Sequence, residues 1–206
     1  MDIREWLLIG LQNGWMAFHS IPQELRTDEL YREALRLNKA GLDEIPFMLR
    51  TRELCLLAVE QRGWVLRDVP LGLRDREMCL MAVKSDGMAL AHVPERLCDR
   101  EICLTAVQAN GLALREVPLR LKDEELCRTA VQNNGEALQW ILEDRRTPEL
   151  CRLAVASNSM ALAFVPEQYK DEDLCRQAVL ANADALRFAP WEMRKSLRRL
   201  LEEQAA

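Results

Sequence analysis

Aromatic residues are scarce, at 5% of 206 residues, and glycine and proline number only eight each. With 30% charged residues, so little glycine and proline excludes a collagen-like or low-complexity chain. Histidine occurs twice, at His19 and His92, and no Cys-x-x-Cys pair is present. That leaves no set of residues with zinc-ligand spacing. The glycines are isolated, so no phosphate-cradling loop is encoded. No apolar run approaches the roughly 18 residues of a membrane span. Basic excess is missing too: the net charge is −5, which argues against nucleic acid as the main partner. The start, Met1 to Gly10, lacks the basic and long apolar regions of a signal peptide, which leads us to expect a cytoplasmic protein.

What is present is a period. Prolines fall at Pro22, Pro46, Pro70, Pro94, Pro118, Pro166 and Pro190, all on one 24-residue grid that only Leu142 interrupts. Cysteines keep the same interval at Cys55, Cys79, Cys103, Cys127, Cys151 and Cys175. A fixed period of this size marks stacked repeats. The expected fold is all-α: a single domain over 1–206, a right-handed α-solenoid of short helical hairpins with N- and C-terminal caps. The eight hairpins are 3–26, 27–50, 51–74, 75–98, 99–122, 123–146, 147–170 and 171–194. Residues 195–206 read as the C-terminal cap helix. Trp6, Leu7, Gly10 and Trp15 mark the first hairpin as the N-terminal cap.

One hairpin, Asp75 to Cys98, gives the template. Asp75 suits an N-cap. Met78, Cys79, Ala82 and Val83 form the buried stripe of a first helix. Asp86-Gly87 is expected to stop it with glycine in the left-handed conformation. Ala89, Leu90 and Val93 are the buried positions of a second, shorter helix ended by Pro94, and Leu97 drops back on the core. Six cysteines on the buried stripe read as reduced, metal-free hydrophobes. Cys98, off the register, is expected to be more exposed. Basic residues recur at Arg26, Arg50, Arg74, Lys122, Arg146, Lys170 and Arg194; all but the last precede by three residues a carboxylate of the row Glu29, Glu53, Glu77, Glu125, Glu149, Asp173, and the spacing predicts local surface ion pairs. The hairpin 123–146 is expected to be an irregular joint, with Leu142 in place of proline and Arg145 in place of leucine.

The stretches AVQANGLAL (Ala106 to Leu114) and AVQNNGEAL (Ala130 to Leu138) resemble a family of short bihelical tandem repeats in bacterial proteins, a domain of unknown function. So does Val-Pro at residues 69–70, 93–94, 117–118 and 165–166. The resemblance covers nearly the whole chain. It implies a helical-repeat fold and, since similar repeats occur in proteins delivered to host cells, interaction with another protein.

No catalytic, cofactor-binding or metal-binding residue is expected, and the chain reads as no enzyme. Residues that vary between hairpins are the candidates for function. Trp140, Phe164 and Phe188 stand at equivalent positions in consecutive hairpins and suit partner anchors. Arg128, Arg152 and Arg176 form a basic row beside them in the sequence pattern. Leu56, Leu80 and Leu104 make an apolar row suited to self-association. The expected function is a non-catalytic protein-binding module, such as an inhibitor, immunity or adaptor protein of bacterial or phage origin. The alternative is a nucleic-acid-binding helical repeat, with the arginines on phosphates and the rings stacking bases.

Overall fold

A computed structural model describes residues 2–205 and is all-α. The described residues fall into two compact units that meet in sequence at Cys98 and Asp99, a hairpin boundary. The first holds α1 (Ile3–Asn13), α2 (Asp28–Arg36), α3 (Arg52–Gln61) and α4 (Arg76–Ser85). The second holds α5 (Arg100–Ala109), α6 (Glu124–Asn133), α7 (Pro148–Ser157), α8 (Glu172–Ala181) and α9 (Arg194–Ala205). Within each unit, successive α-helices pack side by side, and each of α4, α6, α7 and α8 also packs on a 3-10 helix of the hairpin before it. The helix α9 lies on α8 and the last 3-10 helix, with Leu197 buried. Residue 206, at the end of the expected cap, lies outside the described residues.

The first helices start as their sequences dictate. Thr27, Thr51, Asp75, Asp99, Asp123, Thr147 and Asp171 are N-caps whose side chains accept from the amide three residues on. Pro148 opens α7, where its missing N–H costs nothing. The apolar stripe is buried as expected: Met78, Cys79, Ala82 and Val83 are all fully covered.

The end of the first helix differs from the expectation. Gly87 is not left-handed; among the described residues, Gly14 and Asn38 alone have positive φ. Asp86 instead takes an extended conformation, and its side chain accepts from the Met88 amide. Asn110, Asn134, Asn158 and Asn182 make the same bond two residues on. This turn stops the α-helix and starts a 3-10 helix in one step. The second helix of the template is therefore a 3-10 helix, Gly87–His92, repeated at Gly111–Glu116, Gly135–Trp140, Ser159–Phe164 and Ala183–Phe188. Val93 and Leu97 are only half-buried, and a further 3-10 turn, Glu95–Leu97, carries Leu97.

Where glycine starts a 3-10 helix, as at Gly111 and Gly135, its backbone makes a close approach that Ser159 and Ala183 do not share. A Cβ on Gly111 would collide with the Ala130 carbonyl oxygen, and one on Gly135 with that of Ala154. The 3-10 backbone thus rests directly on the next hairpin's α-helix, at the alanine that recurs in every first helix after the first.

The backbone at 141–147 is not irregular. Leu142 has φ −57° and ψ 142°, beside −56° and 138° at Pro118. The irregularity lies in the side chains, where Arg145 is exposed and a cavity opens.

All seven cysteines are buried and carry no disulfide. Cys98 contradicts the expectation of exposure, with 9% relative accessibility. It occupies the last position of its hairpin, where Arg50, Arg74 and Arg146 are also half-buried, and its short side chain does not reach solvent. Burial pushes the thiols of Cys55, Cys79, Cys151 and Cys175 up to about 11.

Two outcomes follow from this packing. Gly111→Ala should destabilise the protein by about 1–3 kcal/mol in urea denaturation, because neither backbone can retreat; an unchanged midpoint would show the contact to be loose. In the unfolded chain the cysteines titrate near about 8.5, below their folded values. Their contribution to stability is therefore complete below that pH and is lost as pH rises through about 11. The denaturation midpoint should fall between those values, and the fall should be shallower in Cys151→Ala.

Candidate interaction surface

Among the described residues, the basic residue that ends every hairpin but 75–98 does not pair with a carboxylate three residues on. Its side chain turns back to backbone carbonyls. Arg146 donates through Nε to the Ile141 carbonyl at 2.8 Å, through Nη1 to that of Phe164 at 2.7 Å and through Nη2 to that of Gln139 at 3.4 Å. Arg74 makes the same three bonds, to Val69 at 2.9 Å, His92 at 2.7 Å and Arg67 at 3.0 Å. Arg50 reaches Ile45 and Asp68. Lysine makes the single long reach: Lys122 to the Trp140 carbonyl at 3.1 Å and Lys170 to that of Phe188 at 3.0 Å. The last carbonyls of a helical segment have no partner inside it, and here a cation from the preceding hairpin supplies one. Burial lowers the pKa of Lys122 and Arg74, with nearby Cys127 and Glu116, and Cys79 and Asp68, opposing it.

The carboxylate row pairs across hairpins instead. Arg52 holds Asp75 and Glu77 at 2.6 Å each, and Arg100 holds Asp123 at 2.8 Å and Glu125 at 2.5 Å. Arg32 takes Glu53 at 3.1 Å. The expected local pairs are thus replaced by lateral ones, since stacking brings the N-terminus of one helix beside that of the next. The Leu126 amide and Arg100 hold the Asp123 carboxyl below its usual range. These pairs are exposed to solvent and contribute little to stability.

The three aromatic candidates end consecutive 3-10 helices. Trp140 is exposed, at 37%, while Phe164 and Phe188 are half-buried. Lys122, Arg146 and Lys170 hold the carbonyls of these same residues. The Arg115 guanidinium lies 5.7 Å from the Trp140 ring centre, and Arg187 lies 4.6 Å from that of Phe188. The arginine row lies on the first helices and is exposed. Arg152 pairs with Asp171 at 3.0 Å and Arg176 with Glu172 at 3.6 Å; among the described residues Arg128 has no such partner. Among the described residues, no cation–π contact joins Arg128, Arg152 or Arg176 to Trp140, Phe164 or Phe188. Leu56, Leu80 and Leu104 are half-buried.

Exposed apolar side chains that sequence reasoning did not single out follow the prolines. Phe47, Met48 and Leu71 stand out in the first unit, Met48 at 90% exposure, and Leu119 and Trp191 in the second. The signal was available: an apolar residue directly after the repeating proline has no core position to fill.

Among the described residues no group of three or more His, Cys, Asp or Glu is placed to hold a metal ion, and no helix is long and apolar enough to cross a membrane.

Repeating units of α-helix and 3-10 helix, packed in sequence order, define a tandem helical-repeat protein. The family described as "Domain of unknown function (DUF4116)" matches residues 51–98, 99–145 and 147–194, and the chain belongs to it. Each match spans two of the hairpins described above. No curated protein and no solved structure matches the chain.

Removing the cation that bridges two hairpins should be costly. Arg146→Met is expected to lower unfolding free energy by about 2–4 kcal/mol, since charged hydrogen bonds contribute about 1.5–3 kcal/mol and the carbonyls are left buried. Arg146→Lys should recover part of it, as lysine serves at 122 and 170. Equal stability of all three proteins in urea would show the bonds to be incidental.

Proposed function

We propose that this chain is a right-handed α-solenoid that binds another protein and catalyses nothing. The observation that carries the reading is the pinned aromatic edge. Trp140, Phe164 and Phe188 stand at one repeat position, and a cation fixes the backbone of each. Fixing the backbone in advance lowers the ordering cost of binding, and partly exposed aromatic rings make strong anchors. Arg128, which stands in the same hairpin as Trp140, would add attraction for an acidic partner. An inhibitor, immunity or adaptor role in the cytoplasm of a bacterium, or in a host cell after delivery, fits such a module.

The nucleic-acid alternative draws less support. Arg152 and Arg176 already face carboxylates, and the chain is acidic overall.

The test is a pull-down from native lysate with the wild type beside Trp140→Ala/Phe164→Ala, with the melting temperature of each single variant recorded. The partner should be lost from the double variant, at several kcal/mol of binding, and its capture by the wild type should survive a rise in salt. Because its ring is at the surface, Trp140→Ala should change stability by less than about 1 kcal/mol. A loss of 3–5 kcal/mol, the cost of truncating a core ring, would sink the binding-edge reading. Capture that vanishes at high salt would instead favour nucleic acid.

A further inference from the structure

The junction of hairpins 123–146 and 147–170 differs from the junctions on either side at two positions that converge in space. Arg145 stands where the preceding hairpins place Leu73, Leu97 and Leu121. Thr147 stands where Asp123 and Asp171 open the hairpins on either side. Between the N-terminal halves of α6 and α7 a cavity of about 200 Å³ opens, lined by both residues. Its floor is apolar: Cys127 and Ile141 are each 3% exposed, and Leu150 is half-buried. Arg128 and Arg145, both exposed, also line it. One hairpin later, Arg152 finds the Asp171 carboxylate at 3.0 Å; the residue equivalent to Asp171 for Arg128 is Thr147, which offers no charge. No carboxylate lies within ion-pair distance of Arg128 or Arg145 among the described residues. Two acids are near. Asp123 senses the charge of Arg145 but is occupied by the Leu126 amide and Arg100. Glu124 lines the cavity mouth.

The repeat has therefore lost one aliphatic side chain and one carboxylate at a single place. We propose that this cavity binds an aliphatic carboxylate, with a branched side chain in the leucine gap and the carboxylate between Arg128 and Arg145. The volume falls below the roughly 300–1,000 Å³ of sites for drug-sized ligands and suits one side chain. Guanidinium forks match a carboxylate in shape and charge. Two sources carry this chemistry. A free branched-chain amino acid brings an ammonium group that Glu124 can meet. The C-terminal residue of a polypeptide brings an amide nitrogen there instead. The site involves none of the three aromatic residues, so it stands or falls separately from the binding edge.

The test titrates leucine, N-acetyl-leucine and N-acetyl-leucinamide into the full chain and follows backbone amide resonances. Saturable shifts are expected at Cys127, Ile141, Thr147 and Leu150 with a carboxylate-bearing probe. The amide should bind at least about tenfold more weakly, for loss of the charged hydrogen bonds. Tighter binding of leucine identifies a free amino acid as the source; tighter binding of N-acetyl-leucine identifies a chain terminus. Arg145→Leu should refill the gap and abolish the shifts, and Arg128→Gln should weaken binding while leaving the gap open. Absence of saturable shifts with either carboxylate, equal binding of the amide, or undiminished binding by both variants would overturn the proposal.

Discussion

A cation reaching from the end of one hairpin to the carbonyls of the next is the interaction on which this architecture leans. A 3-10 helix of six residues, such as Gly135–Trp140, cannot satisfy its own last carbonyls. Arg146 serves the carbonyls of Gln139 and Ile141 in its own hairpin and that of Phe164 in the following one. One side chain thereby closes a turn and sets the register between neighbours. Arg74 repeats the arrangement in the first unit. The head group is desolvated, as the lowered pKa of Arg74 and Lys122 records, but it faces carbonyl oxygens throughout, so its burial is compensated.

Around that bond the other contacts fall into place. A 24-residue hairpin is too small to bury its own apolar face. Gly111 and Gly135 let the 3-10 backbone lie against the alanine of the next α-helix. The cysteine stripe then fills the seam with a small, soft side chain. On the outer side, acids at the helix starts meet arginines of the previous hairpin, as Arg100 does with Asp123 and Glu125. The same geometry fixes what the repeat presents: side chains at the 3-10 ends, among them Trp140, are held by backbone bonds that do not involve the ring.

Much of this was legible in the sequence, and the failures share a cause. Caps, the buried stripe and the cysteines follow from neighbours along the chain, and Asp75, Met78 and Cys79 sit where spacing puts them. The cationic bridges were missed because a carbonyl acceptor has no sequence signature; Arg146 could be matched only to a nearby acid. Stacking brings together residues 18 to 25 positions apart, which local spacing does not reveal. Gly87 was assigned the commonest role of a glycine after a helix, yet Asp86 supplies the turn. Its break from register suggests exposure for Cys98, yet the last position of a hairpin is partly covered, as at Arg74 and Arg146, and a short thiol there is buried. The aromatic row was found by comparing hairpins. Its degree of exposure was not, because the 3-10 ends lie between core and surface. The gap at Arg145 was anticipated as a weak joint, but the backbone there keeps its shape through Leu142 and the change is a cavity.

The most direct test asks whether the cation orders the edge it touches. With 5-fluorotryptophan at all five tryptophans, the fluorine resonance of Trp140 can be compared between wild type and Lys122→Met. If the Lys122 bond to the Trp140 carbonyl fixes that residue, its signal should move toward the position of the unfolded chain, while those of Trp6, Trp15, Trp64 and Trp191 stay in place. A Trp140 resonance that does not move would contradict the account.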